Sequence, residues 1–247
     1  MVVYWLGGVE CRSCLDVIGG HASVRRFRPE PVDPRDLEKI LEAARRAPTS
    51  WNLQPLTVTA VTDPELRKKL AEAVGGQEHV AEAPVFLVFS VDYHKLLEAA
   101  RAVGVEPADP GLGHLVVGAL DAGIASGWAA LAAEELGYGV VFIALYSNPC
   151  RVADILGLPR RVIPVVGLCI GRPAEHPEPR PRHPMEVFAA ENRYPSPEGM
   201  AEKVSSVYGQ KAGKLFRYVL APSGYYESVG ETLLRCMEER GYKTPAK

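Results

Sequence analysis

A histidine, a serine and an arginine alternate near the start of this sequence. His21, Ser23 and Arg25 are each separated by one residue, so an extended backbone would direct all three side chains to the same side. An imidazole, a hydroxyl and a guanidinium on one side are suited to bind a phosphate ester or a ribityl chain. An ordinary solvated basic segment before a helix is the alternative reading, and this spacing alone does not decide between the two.

A second polar cluster follows, in a loop bounded by prolines at positions 48 and 55. Its hydroxyl and amide groups belong to Thr49, Ser50, Asn52 and Gln54. Such groups can bind the edge of a flat heteroaromatic ring that is rich in hydrogen-bond donors and acceptors. Gln77, directly after two glycines, could add another amide.

Two arginines flank a proline later in the chain. Arg180 and Arg182 would project to one side of an extended, proline-rich loop. Together with Arg25 they could hold a phosphate dianion through charge-assisted hydrogen bonds, each contributing about 1.5–3 kcal/mol.

The elements that position these groups are predicted from capping residues and from the spacing of apolar residues. Asp-Pro pairs at 33–34 and 63–64 predict the starts of two helices, which end before Pro48 and at Gly75-Gly76. Strands are predicted at 56–62, 85–91, 140–146 and 162–170. Pro164, inside the last of these, indicates either an edge strand or a bulge.

A Gly- and Ala-rich apolar run covers residues 112–136. It contains Asp121, Glu134 and Glu135, so we expect a buried helix in a close-packed core or subunit interface rather than a transmembrane span. The remainder, from residue 197, is predicted to be mainly helical. We therefore predict one α+β domain, with a core at 1–196 and a helical C-terminal extension at 197–247.

Composition excludes some classes of function. The net charge of −2 and a pI near 6.3 argue against nucleic acid as the main partner.

The apolar N-terminus lacks the basic residues of a signal peptide, and five cysteines without framework spacing predict a reduced, cytoplasmic setting. Cys11 and Cys14 form a lone CxxC pair, so a metal site there would need two further ligands. Only six Asn and Gln residues favour a thermophilic source.

The common catalytic motifs are missing from the sequence. It contains no P-loop, no complete dinucleotide-binding glycine pattern, and no motif of a zinc protease or serine hydrolase. His79, His94 and His114 are interpreted as helix-face or capping residues rather than catalytic bases. We therefore assign no general acid or base and no metal ligand.

In combination, these motifs resemble the nitroreductase family of FMN-dependent oxidoreductases, most of all its oxygen-insensitive nitroreductase and flavin reductase branch. The resemblance extends to about Ser196. It rests on five motifs in this order: His21-Ala-Ser-Val-Arg25, Ala47-Pro-Thr-Ser-Trp-Asn-Leu-Gln54, Gly75-Gly76-Gln77, Gly167-Leu-Cys-Ile-Gly171 and Arg180-Pro181-Arg182. It implies a central mixed, largely antiparallel sheet flanked by helices.

The resemblance also implies a homodimer with two FMN sites at the subunit interface. The ribityl phosphate would be held by His21, Ala22, Ser23, Arg25, Arg180 and Arg182. The polar loop, with Thr49, Ser50, Asn52 and Gln54, would come from the other subunit. Gln77 would lie near the ring, together with Ile143, Ala144 and Leu145, which stand where the branch usually has a Gly-Gly pair.

The implied activity is reduction of nitroaromatics, quinones or free flavins by NADPH or NADH, in ping-pong fashion, with the hydride passing through N5 of FMN. The sequence leaves the preference between NADPH and NADH open, because the stretch 204–230, which corresponds to the branch's basic loop, holds only scattered cations at Lys211, Lys214 and Arg217. Alternatives are other flavin chemistry, such as dehalogenation, flavin destruction or ene-reduction, and a flavin-binding sensor or store without turnover.

Overall fold

The computed structural model describes residues 13–244. Its strands are β1 (Leu56–Val61), β2 (Val85–Asp92), β3 (Gly139–Ala144) and β4 (Val162–Gly171). Its helices are α1 (Cys14–Gly19), α2 (Pro34–Arg45), α3 (Pro64–Ala73), α4 (Glu78–Glu82), α5 (His94–Ala102), α6 (Leu112–Glu135), α7 (Pro149–Ile155), α8 (Met185–Phe188), α9 (Met200–Ser206), α10 (Ala212–Leu220) and α11 (Tyr225–Glu239).

The predicted helix starts at the two Asp-Pro pairs are confirmed. The Asp33 carboxylate accepts a hydrogen bond from the Arg35 amide at the start of α2, and Asp63 accepts one from Leu66 at the start of α3. Helix α3 ends before Gly75 and Gly76, which have positive φ angles of 91° and 72°. Glycine adopts this left-handed conformation without steric cost, so it stops the helix there.

The four strands form one sheet in the order β1-β2-β4-β3. All pairings between these four strands are antiparallel, which confirms the α+β class and the largely antiparallel sheet. The described residues also include one isolated parallel bridge, between Gly111 and Lys243. Side chains of β2 alternate between two cores. Leu87 and Phe89 pack with α2 and α6 on one face, while Phe86 and Val88 pack with α3, α4 and α7 on the other.

Pro164 lies in a central strand, so the edge alternative is wrong and the bulge alternative is confirmed. The register between β2 and β4 shifts at Phe89 and Ser90, whose partners are Val166 and Pro164. Strand β3 pairs with β4 only from Val166 onwards. A residue without an amide proton is therefore tolerated at 164, because no β3 residue pairs with it on that side.

Helix α6 lies against β2 at very short distance. A Cβ atom at Gly118 would come 2.4 Å from Cγ1 of Val91, so only glycine fits this contact. Nine residues of α6 are buried, as expected for a core helix. By length and composition α6 could also cross a membrane, a test that the core helix of a soluble protein passes equally well.

The other face of α6 is apolar but exposed. Its exposed large side chains are Leu112, Val116, Leu120, Ile124 and Trp128. A Cβ added at Gly123 or Gly127 would meet no atom within 4 Å. The helix therefore presents a continuous apolar stripe that no residue between 13 and 244 covers.

Two compact units can be distinguished. One comprises the chain up to Pro177 together with the chain from Thr232, and the other spans Glu178–Glu231. Within the second unit, Tyr208 makes edge-to-face contacts with His183 and Phe216. The division expected near residue 196 stays a prediction.

The end of α11 belongs to the first unit and contributes to its core. Met237 is fully buried, and Cys236 forms a disulfide with Cys150 of α7 across a Cα–Cα distance of 5.4 Å. The expectation of unpaired cysteines is thus wrong for this pair. Sequence spacing did not indicate it, since the two cysteines are 86 residues apart and meet only through the fold. Cys11 lies outside the described residues.

Candidate functional site

The segment from His21 to Arg28 runs alongside the start of β3. The Val24 amide donates to the Val140 carbonyl at 2.9 Å, and Phe27 bridges to Pro173. Val24 and Phe27 are buried, whereas Arg25 is exposed. A Cβ at Gly139 would lie 2.8 Å from Val24, so glycine at 139 lets this segment lie directly on the strand.

The His21 ring is held by a carboxylate from α6. Its Nδ1 lies 2.7 Å from Oε1 of Glu134, and both side chains are mostly buried, with exposed fractions of 27% and 16%. Because an ionised carboxylate only accepts hydrogen bonds, Nδ1 is the protonated nitrogen in this pair. The other ring nitrogen, Nε2, is then the atom left to meet a ligand.

A second carboxylate binds the backbone of the same segment. Oε1 of Glu175 accepts hydrogen bonds from the amides of Arg25 at 2.6 Å and Arg26 at 3.1 Å. The Arg25 guanidinium donates to the Ser23 carbonyl at 3.2 Å, and the side chain of Arg25 is exposed. The cationic group that this segment offers to a ligand is therefore a side chain, while two of its amides are already bound.

The polar loop of residues 49–54 is a strained turn. It forms a short 3-10 turn at Ser50–Asn52, and three of its non-glycine residues have φ angles of 54–55°, namely Trp51, Asn52 and Gln54. Three left-handed residues in so short a stretch are costly and persist only where the surroundings impose them, which is typical of ligand-binding loops. The indole of Trp51 is 93% exposed at the tip.

This loop is held by hydrogen bonds among its own residues and by a hydrogen bond to α6. The backbone amide of Gln54 donates to the Thr49 hydroxyl at 3.2 Å, and the side-chain amide of Gln54 donates to Oδ1 of Asn52, also at 3.2 Å. The Ser50 amide donates to the carboxylate of Asp121 at 3.2 Å. Asp121 is 4% exposed, so this buried charge anchors the loop to the middle of α6.

A cavity of about 360 Å³ borders the loop. Thr49 and Gln54 line it, together with apolar residues of α2 and β1 and the charged side chains of Arg45 and Lys95. Its walls are mainly apolar, with a few polar groups along the loop. This combination is common in sites for small organic ligands.

The His21 segment and the polar loop are both bound to α6, but at different positions along this helix. Asp121 holds the loop and Glu134 holds His21, and these two positions are 13 residues apart on α6. At 1.5 Å per residue, the anchors are separated by about 20 Å along the helix axis. Within a single chain, the two predicted halves of the site are therefore held at different points of α6.

Gln77 and His79 lie at the start of α4. The Gln77 side chain donates to the Val74 carbonyl at 2.8 Å, which leaves its carbonyl oxygen available. Nε2 of His79 is buried without a hydrogen-bond partner among the described residues. Burial lowers the pKa of His79 most, and the positive charge of Arg25 lowers it further. His79 lies in a helix, as the sequence predicted, but its buried Nε2 close to the charge of Arg25 was not predicted.

The remaining predicted residues are placed in two ways. The side chains of Ile143 and Leu145 are fully buried in the core, so only their backbone could meet a ligand, while Ala144 is half-buried. Arg180 and Arg182 belong to the second unit and are exposed there, with Arg182 donating to the Arg180 carbonyl at 2.8 Å. Ala22 is half-buried within the His21 segment.

Comparison with known proteins agrees with this arrangement. The family model described as the nitroreductase family matches residues 18–172, which include the His21 segment and the polar loop. The chain belongs to the nitroreductase family. The fold expected for that family is thereby confirmed.

Several relatives of this nitroreductase-family protein cover most of its length. It is 37% identical to the FMN reductase [NAD(P)H] of Bacillus subtilis, over 90% of this chain and 95% of that protein. It is 35% identical to the oxygen-insensitive NADPH nitroreductase of Salmonella typhimurium, over 82% of each.

Solved structures give the same result. A Bacillus subtilis oxidoreductase superposes with a TM-score of 0.84 at 32% identity, covering 94% of this chain and 99% of that one. The NADPH:FMN oxidoreductase from Vibrio harveyi, solved in complex with NAD+, superposes with a TM-score of 0.76 at 28% identity, covering 93% and 98%.

Proposed function

We propose that this protein is an FMN-dependent NAD(P)H oxidoreductase that reduces nitroaromatics, quinones or free flavins in ping-pong fashion. The observation that carries the proposal is the agreement between the activities of its relatives. Relatives that align over most of both chains are an NAD(P)H-dependent FMN reductase and an NADPH nitroreductase. Bound FMN supplies the hydride-transfer chemistry, and the protein binds and orients it.

The described residues suit FMN. At one cluster, the Arg25 guanidinium, the Ser23 hydroxyl and Nε2 of His21 would bind a phosphate. At the other, Thr49, Ser50, Asn52 and Gln54 supply hydroxyls and amides on a strained loop beside an apolar-walled cavity. Gln77 and the backbone around Ala144 would complete the ring site.

We further propose that the active form is a homodimer in which each FMN is bound by both chains. Two observations support it. The anchors of the two clusters are about 20 Å apart along α6, so each cluster can serve a different cofactor. The exposed apolar stripe of α6 also provides a surface that a second copy would cover, and its glycines allow close approach. We propose a cytoplasmic location, where the nicotinamide donors are available.

Anaerobic reduction tests the activity. Purified protein reconstituted with FMN should lose its yellow absorbance on addition of NADPH or NADH, and a nitroaromatic, a quinone or free flavin should restore it. If neither nicotinamide bleaches the bound flavin, the protein is a flavin-binding sensor or store. If bleaching occurs but none of these acceptors restores the colour, the protein performs other flavin chemistry.

A further inference from the structure

Glu134 is the residue that fixes the orientation of His21. It lies in the last turn of α6, and its carboxylate oxygen is 2.7 Å from Nδ1 of His21. Only a small fraction of either side chain is exposed, so water competes little for this contact. A histidine ring held at one nitrogen by a carboxylate has a fixed orientation, and so a fixed direction for the other nitrogen.

Two nearby carboxylates make the orientation of the His21 ring important for phosphate binding. Glu175 already binds the amides of Arg25 and Arg26, so those backbone donors are not available to an anion. Glu134 and Glu175 also place two negative charges beside the segment. A phosphate can bind there only if cationic side chains face it, and within the His21–Arg28 segment the Arg25 guanidinium and a His21 ring that is protonated at both nitrogens can serve.

We propose that Glu134 is a positioning residue for the phosphate of the cofactor. Glu134 holds Nδ1 of His21 so that Nε2–H points to a phosphate oxygen, and it balances the positive charge of the ring. This inference rests on the proposed function, because it takes FMN as the ligand. It assigns a role to a carboxylate that touches no cofactor atom.

The test compares two ligands that differ only in the phosphate. Dissociation constants of FMN and riboflavin are measured by fluorescence quenching on apoprotein, for wild type, Glu134→Gln and Glu135→Gln. Glu135 is the next residue of the same helix turn and is exposed, so it controls for the loss of one negative charge at the end of α6. Glu134→Gln should weaken FMN binding about tenfold, with riboflavin affinity nearly unchanged. Glu135→Gln should alter neither.

A double variant shows whether the effect passes through His21. In a His21→Ala background, Glu134→Gln should cause no further loss of FMN affinity. An equal loss for FMN and riboflavin in Glu134→Gln would mean a purely structural role and would overturn the proposal. So would unchanged binding of both, or a further loss in the His21→Ala background.

The ¹⁵N chemical shifts of the His21 ring in wild type give a readout that does not depend on how the variants fold. The FMN-bound protein should show protons on both ring nitrogens, and a neutral ring would overturn the proposal. Failure of the proposed function looks different: wild type would then bind FMN but not be bleached by either nicotinamide, whatever Glu134→Gln does.

Discussion

At the scale of single residues, three carboxylates define the environment of the candidate site. Asp121 and Glu134 bind the polar loop and His21 from α6, and Glu175 binds the amides of Arg25 and Arg26. None of them could be assigned from sequence. Asp121 did give a signal, since it is an acid in the middle of an apolar run, but its partner Ser50 is 71 residues away. Glu134 and His21 are 113 residues apart, and no spacing rule connects them.

Arg25→Ala should strongly weaken FMN binding. The variant removes one charge-assisted contact to phosphate, worth about 1.5–3 kcal/mol, which corresponds to a roughly 10- to 150-fold rise in the FMN dissociation constant. Fluorescence titration of apoprotein measures it. Arg26→Ala is the matched control, because Arg26 is also exposed and next in sequence. Equal affinities of the Arg25 variant and its control would remove Arg25 from the site.

His79 should make stability depend on pH in the acid range. Its pKa is lowered in the folded state, first by burial and then by Arg25, so the unfolded chain takes up the proton first as pH falls below about 6.5. Stability should therefore decrease as pH falls from 7 through the lowered pKa. Urea unfolding at several pH values should show a smaller decrease for His79→Gln. Parallel curves for both proteins would contradict the assignment.

At the scale of elements, α6 anchors both polar clusters of the site, and the end of α11 packs into the core. Helix α6 packs on β2 through Gly118, anchors both polar clusters, and leaves one apolar face exposed. Helix α11 returns to the core through Met237 and is linked to α7 by the Cys150–Cys236 disulfide. Disulfides are rare in cytoplasmic proteins except in those of hyperthermophiles. The pair is compatible with the thermophilic source that the low Asn and Gln content favours.

Loss of this disulfide should cost substantial stability. It closes a loop of 86 residues, and cross-links of that kind contribute about 2–4 kcal/mol. Cys236→Ser should lower the free energy of unfolding by that amount, measured by denaturant titration without reductant. Reductant should destabilise wild type and leave Cys236→Ser unaffected. Cys14→Ser is the control, since Cys14 is an exposed free thiol. A Cys236 variant as stable as wild type would contradict the linkage.

The elements show where sequence reasoning succeeds and where it ends. The starts of α2 and α3 could be predicted because each depends on one Asp-Pro pair and its own first turn. The place of β4 in the sheet could not, because it depends on which strands pair with it on either side. For the same reason, composition and spacing located the two polar clusters but not the distance between them.

At the scale of the whole molecule, the proposed shared FMN site requires a dimer. The exposed stripe of α6 would be buried by a second copy, and a charged residue within it should prevent association. Leu120→Asp removes an apolar contact of about 1.5–3 kcal/mol from each chain and leaves an unpaired charge in the interface. Sedimentation should show a monomer with weakened FMN binding. Val103→Asp, at an exposed apolar residue after α5, should remain a dimer, and a dimeric Leu120 variant would exclude this interface.

The most direct test of the shared site is a mixed dimer. One chain carries Arg25→Ala and the other carries Asn52→Ala with Gln54→Ala, with different affinity tags so that the mixed species can be isolated. Homodimers of either variant should bind FMN poorly. If each site combines the His21 segment of one chain with the polar loop of the other, the mixed dimer contains one site with both defects and one intact site. Titration should then give one FMN per dimer at wild-type affinity, whereas two impaired sites and no tight binding would contradict the shared site.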